Sequence, residues 1–294
     1  MLTDNKVAFL FPGQGNIPKT IISSRIGKHL FHIAEQNGLL LRELVQDSQI
    51  DLLSQTQYAQ PMILIDSLIR EEKLRDRGLM PTVVAGHSLG EYAALVSAGV
   101  LTAEDALCTV IERARLMAAI KGGMVAVLKL SIVDVRSICQ SVRGDVVIAN
   151  YNAPQQAVIS GGKAALKQAT KLVEQMGGRA IPLHVSGAFH SSAAVEAEKK
   201  LAPTIAKLSF AAPLVPMISS VSGDPECDGV RLKKLLLTQI TSCVRWVDVI
   251  NSMIREGVSY GVEAGTSGVL PSLGRQITSQ IKFLSFEEAL HGRI

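Results

Sequence analysis

Thr82-Val83-Val84-Ala85-Gly86-His87-Ser88-Leu89-Gly90-Glu91 is the stretch whose reading decides the fold. Pro81 precedes four small or β-branched residues, so 82–85 reads as a short buried strand. Glu91 opens an apolar helical pattern that runs to Ala98. Between the two lies a G-x-S-x-G. Its glycines permit a sharp strand-to-helix turn, which exposes the serine hydroxyl at a helix N-terminus. Backbone N–H groups there lack helical partners and can stabilise a developing oxyanion. By its letters alone the segment is a glycine-bracketed turn with a capping serine; the strand-turn-helix setting favours a nucleophile.

Working outward, Val7-Ala8-Phe9-Leu10-Phe11 is a second buried strand, closed by Pro12-Gly13. Residues 61–77 read as a helix. Thr102, followed by Glu104 and Asp105, starts another that extends to about Ile120. Strands alternating with helices call for a parallel sheet covered on both faces. Lys121-Gly122-Gly123 reads as a hinge, and the rhythm changes after it. Strands at 124–130, 146–150, 157–160 and 179–185, with helices at 133–142 and from Gly162 to about Met176, give β-α-β-β-α-β, the ferredoxin-like order. The expectation is an α/β protein: a large parallel-sheet, α/β-hydrolase-like subdomain from residues 1–122 and 187–294, carrying an inserted ferredoxin-like subdomain at 123–186.

Composition limits the functions to consider. Apolar residues make up 47% of the 294 and charged residues 19%, enough for a large core and too apolar for disorder. A net charge of +4 with 4% aromatic residues gives no basic stripe with stacking rings, which argues against nucleic acid. Cys108, Cys139, Cys227 and Cys243 form no CxxC pair and no zinc-ligand spacing, so no metal is expected and the thiols read as reduced and mostly buried. The apolar run before Pro12 is too short for a signal peptide, and no run approaches a membrane span. A soluble, cytoplasmic enzyme without a membrane partner is expected.

A serine nucleophile needs a base. Six histidines are available. His87 adjoins Ser88, but its side chain should point away from the serine. His29, His32 and His291 lie in amphipathic or terminal stretches that read as surface. His184 falls in an expected strand and reads as packed. His190, in Val185-Ser186-Gly187-Ala188-Phe189-His190-Ser191, lies just past a strand end, where α/β proteins build sites. From the residues alone the base stays open among these. An α/β-hydrolase would place its histidine late in the chain; only His291 follows His190, and its context is poor. Phe11-Pro12-Gly13-Gln14-Gly15 is a second strand-to-loop site, where two glycines let backbone approach a ligand closely.

FPGQG at 11–15, GHSLGEYAALVSAG at 86–99, RARLM at 113–117, ANYNAPQQAVISGG at 149–162 and GAFHS at 187–191 occur together in one order. In that order and approximate spacing, nearly the whole chain resembles the malonyl-coenzyme A:acyl carrier protein transacylases and the related acyltransferase domains of polyketide synthases. The resemblance implies that Ser88 takes the malonyl group from malonyl-coenzyme A with His190 as base, then passes it to the phosphopantetheine thiol of a holo acyl carrier protein, in fatty acid or polyketide biosynthesis. It implies an oxyanion hole from the N–H groups of Gln14 and Leu89, and Arg113 as the clamp on malonate's free carboxylate. It also implies that the carbonyl of Gln239 orients His190, that Phe189 favours malonyl over methylmalonyl by filling the space of an α-methyl, and that Gln60 and Asn152 lie near the substrate or coenzyme A path. No tightly bound cofactor is implied.

The chain departs from the family pattern at two loops. Gly13-Gln14-Gly15-Asn16-Ile17 stands where the family reads GQGSQ, and Gly265-Thr266-Ser267-Gly268 where it has Gly-Pro-Gly. Two further functions compete: an acyl hydrolase that clears carriers, which would have no use for Arg113, and a non-catalytic docking relative, which would have no use for Ser88, His190 and Arg113 together.

Overall fold

Val7 to Phe11 are five consecutive buried residues, a pattern that suits only a strand covered on both faces. The computed structural model describes residues 5–18 and 21–292. Among the described residues the strands are Lys6–Phe11 (β1), Val83–Gly86 (β2), Gly123–Leu128 (β3), Val146–Ala153 (β4), Gln156–Gly161 (β5), Arg179–Pro182 (β6), Met217–Ile218 (β7), Pro225–Glu226 (β8), Val258–Glu263 (β9) and Lys282–Leu284 (β10). They form a six-stranded sheet, β10-β9-β1-β2-β7-β8, and a four-stranded sheet, β4-β5-β3-β6.

In the larger sheet every pairing is parallel except β7 with β8. The chain steps from β1 to β2 and outward to β7, then returns to the other side of β1 as β9. The loops leaving the adjacent ends of β9, β1 and β2 therefore open a crevice at one sheet edge, the place where open α/β sheets hold ligands. Helices Thr56–Asp76, Gly90–Ser97 and Ala103–Ala118 cover one face. Trp246–Arg255 and Val269–Ile277 pack on the other through Trp246, Ile250, Met253, Leu270 and Leu273.

The smaller sheet is antiparallel throughout and its strand order is that of a β-α-β-β-α-β unit. Helices Ile132–Ser141 and Lys163–Gln175 cover one face, burying Val127, Val135, Ile138, Ile159, Ala169 and Val173. Met124, Ala126, Ala149 and Val158 on the other face join the core of the larger sheet. A parallel bridge between Asn150 and Val244, with Tyr151 N donating to Val244 O at 2.8 Å, fastens β4 to the loop before Trp246.

Several sequence expectations differ from the structure. The helix expected at 61–77 spans Thr56–Asp76 with Pro61 inside it. Pro61 deprives only the Gln57 carbonyl of its donor, and Gln57 is half-exposed, so water can serve it. The strand expected at 179–185 ends at Pro182. Val185 N turns back onto Leu183 O at 2.9 Å, which steers the chain toward the crevice and leaves His184 exposed rather than packed. The thiols are free but not mostly buried: Cys108 and Cys227 are exposed, and Cys139 and Cys243 are intermediate. No helix among the described residues is long and apolar enough to cross a membrane.

Candidate active site

The turn after β2 is set by contacts that only glycine allows. A Cβ on Gly86 would lie 2.0 Å from the Gly90 carbonyl carbon, and one on Gly90 would lie 2.0 Å from Phe11 O. The ends of β1 and β2 and the start of the Gly90–Ser97 helix thus touch backbone to backbone. Ser88 between them takes φ 51°, a left-handed conformation that a non-glycine residue holds only when its surroundings impose it. Among the described residues, no acceptor takes the N–H of Leu89 at this helix start or that of Gln14 across the crevice.

His190 also has positive φ, at 55°, and its own N–H donates to Ile240 O at 3.0 Å. Its ring bridges two kinds of partner. Nε2 lies 2.7 Å from Ser88 Oγ, while Nδ1 faces the carbonyls of Gln239 at 3.1 Å and Ser242 at 2.9 Å. Two carbonyl acceptors at Nδ1 keep the proton there and leave Nε2 free to accept one. Burial above all, then the positive charge of Arg113 and the nearness of the His87 imidazole, push the His190 pKa down to about 3. The ring is therefore neutral at pH 7 and able to take the serine proton.

Arg113, on helix Ala103–Ala118, is 1% exposed. Its Nη1 donates to Gln60 Oε1 at 2.6 Å, and its Nη2 to Ser88 Oγ and Gln239 Oε1, each at 3.2 Å. All three partners are uncharged, and burial pulls the arginine's pKa below its ordinary value. A buried cation with no anion in direct contact is costly unless something anionic arrives to complete it.

Polar contacts run from Arg113 to the rim. Gln60 Nε2 donates to Gln14 Oε1 at 3.3 Å, Gln14 Nε2 to Thr56 Oγ1 at 3.3 Å, and Thr56 Oγ1 meets Ser186 Oγ at 3.2 Å. The crevice holds a cavity of about 190 Å³ whose walls include Gln14, His87, Ser88, Asn152, Phe189 and His190. Arg113, Gln60, Leu89 and Gln239 stand behind that wall. The His87 ring turns away from Ser88: its Nε2 is 2.9 Å from Asn152 Oδ1, and it meets the Trp246 ring edge-on. Burial keeps it neutral too. His29, His32 and His291 lie on the surface.

The structure thus brings Ser88, His190, Arg113, Gln14, Leu89, Gln239, Phe189 and Asn152 to one crevice. Gln60 belongs to it through Arg113, without lining the cavity. Sequence reasoning missed three features. The Ser242 carbonyl carries no sequence signal. The Gln239 side chain adds contacts to Arg113, Ser88 and Glu91 beyond its carbonyl. Glu91 could have been found: an acidic residue opening the apolar run Tyr-Ala-Ala-Leu-Val needs a buried partner. No group of three or more potential metal ligands occurs among the described residues.

Residues 24–281 match the acyl transferase domain model. The chain is 36% identical, over 97% of its length and 94% of the relative's, to a malonyl CoA-acyl carrier protein transacylase of Bacillus subtilis. The crystal structure of a malonyl-CoA:ACP transacylase from Synechocystis superposes with a TM-score of 0.87 at 34% identity, covering 95% of this chain and 96% of that one. A malonyl-transacylase solved in complex with its type II PKS acyl-carrier protein gives 0.89 at 29% identity, covering 97% and 99%.

Proposed function

We infer that this chain, which belongs to the acyl transferase family and within it to the malonyl-CoA:acyl carrier protein transacylases, moves a malonyl group from coenzyme A to a carrier's phosphopantetheine thiol by way of Ser88. Ser88 Oγ attacks the thioester carbonyl as its proton passes to His190 Nε2. The N–H groups of Gln14 and Leu89 receive the oxyanion. Collapse expels coenzyme A, whose sulfur takes the proton from His190, and leaves malonyl on Ser88. In the second half the carrier thiol gives its proton to His190 and attacks the ester. Ser88 leaves with that proton, so the cycle closes with no net change in the enzyme.

Arg113 decides which acyl group fits. Its Nη2 rests 3.2 Å from Ser88 Oγ, so malonyl carried on that oxygen brings its carboxylate to the guanidinium. This buried cation with only uncharged partners is the observation that carries the reading. An acyl hydrolase for uncharged chains would gain nothing from it. Phe189, 5% exposed beside His190, fills space that an α-methyl would need. A methyl is worth only ~1–3 kcal/mol, so preference rather than exclusion follows. Gln239 and Ser242 carbonyls orient His190, Gln60 steadies Arg113, and Asn152 lines the coenzyme A path. Residues 1–122 and 187–294 act as one subdomain and 123–186 as the other, with the acyl group entering between them in the cytoplasm.

Incubation with malonyl-CoA should add one malonyl group to the intact protein, read by mass spectrometry, and Ser88→Ala should abolish it. Arg113→Ala should acylate poorly with malonyl-CoA and better with acetyl-CoA. An adduct that survives Ser88→Ala, or equal loss of both donors in Arg113→Ala, would overturn these roles.

A further inference from the structure

We propose that Glu91 is a positioning residue for acyl selectivity: through the Gln239 side chain it fixes where the Arg113 guanidinium stands. The inference rests on the malonyl-transfer reading above. Glu91 is 2% exposed and lies three residues past the nucleophile, outside the cavity. Its Oε1 accepts from Ser220 N at 2.6 Å and Ser219 Oγ at 3.0 Å, and its Oε2 accepts from Gln239 Nε2 at 2.7 Å. The same Nε2 donates to Ser88 O at 2.6 Å, and the opposite end of that amide, Oε1, accepts from Arg113 Nη2 at 3.2 Å.

The contacts have one polarity. Burial raises the Glu91 pKa, while the donors Gln239 Nε2, Ser220 N and Ser219 Oγ on its two oxygens favour the carboxylate. A carboxylate only accepts, so the amide of Gln239 must turn its NH2 toward Glu91 and its oxygen toward Arg113. Glu91→Gln is nearly isosteric but breaks that order. The new amide must keep its oxygen on Ser220 N, which aims its NH2 at the NH2 of Gln239. If the Gln239 amide turns over to escape, its own NH2 faces the guanidinium and its oxygen faces Ser88 O. In the first case the two NH2 groups repel and push Gln239 from its place beside Arg113; in the second Arg113 faces a donor. In both the hydrogen bond between Arg113 and Gln239 is weakened or lost and the guanidinium shifts. A malonyl group uses that guanidinium and an acetyl group does not, so the ratio of the two donors reports the effect where general loss of fold would not.

The test measures kcat/KM for acyl-enzyme formation with malonyl-CoA and acetyl-CoA, together with melting temperature. The expected outcome for Glu91→Gln is a malonyl-to-acetyl ratio lowered about tenfold, the size of one lost hydrogen bond to a charged group. In the Arg113→Ala background the same substitution should leave the ratio unchanged, because the residue it acts through is gone. Gln239→Met, which leaves Glu91 in place, should lower the ratio as well and decides the matter if Glu91→Gln does not fold. An unchanged ratio in Gln239→Met, or equal loss of both donors in folded Glu91→Gln, or the same ratio drop in the Arg113→Ala background, overturns the proposal. Failure of the wild-type protein to form a malonyl adduct would instead overturn the reading on which it rests.

Discussion

His190 sits where a positive charge is hardest to hold. Burial and the neighbouring Arg113 cation keep its pKa near 3, against the usual 6.5. The folded protein therefore binds this proton less readily than the unfolded chain. The stability tied to His190 is fully present above pH 6.5 and is lost as pH falls toward 3. The rate of malonyl-enzyme formation should stay level from pH 8 down to about 5, with no acid limb near 6.5; a half-maximal rate near pH 6.5 would show that the ring titrates normally. At this scale much was legible. Ser88 followed from its setting between strand and helix, but the histidine could not be chosen from six by residue type. The resemblance to the transacylases pointed to His190, and its Nε2 lies 2.7 Å from Ser88 Oγ. The Ser242 carbonyl was not legible, because a backbone oxygen shows itself only once the chain is folded around the ring.

The strand-turn-helix element is built on glycine contacts rather than on serine. Gly90 packs against the Phe11 carbonyl, where a methyl has no room and no flexible neighbour to displace. Gly90→Ala should cost about 3 kcal/mol, read as a lower melting temperature. An unchanged melting temperature would mean that the two strand ends can part, and that the turn is not held by this contact. Elements were legible where pattern and chemistry agreed. Thr102 caps its helix through Asp105 N at 3.0 Å, and the run from Gly162 into a helix ending near 175 fell where expected. Boundaries failed where local signals misled. Pro61 looked like a helix start and is an interior residue; the mostly apolar stretch after Arg179 looked like strand beyond Pro182, where a tight turn had already begun.

At the scale of the whole molecule, two sheets of different kinds meet over one small cavity, and each supplies part of its wall. The larger sheet gives the loops after β1, β2 and β9; the smaller gives Met124, Asn150, Asn152 and Val158. The alternation of elements in the sequence contained a parallel sheet and the order of the smaller unit; the larger sheet's strands β7 to β10, and hence its strand order, were not read from it. It did not contain the rim. There Asn16 Nδ2 donates to Ser267 O at 3.3 Å, and Glu263 holds Ser267, Gly268 and Leu270 through its carboxylate. That contact joins the two loops whose sequences depart from the family pattern, so each departure could be understood only beside the other. On the proposed reading the cavity serves transfer between two thiols, with Ser88 as the station between them. Malonyl-enzyme freed of coenzyme A and mixed with holo acyl carrier protein in a single turnover tests this most directly. The expected result is loss of malonyl from the enzyme matched by its appearance on the carrier; release as free malonate, with the carrier unlabelled, would contradict it.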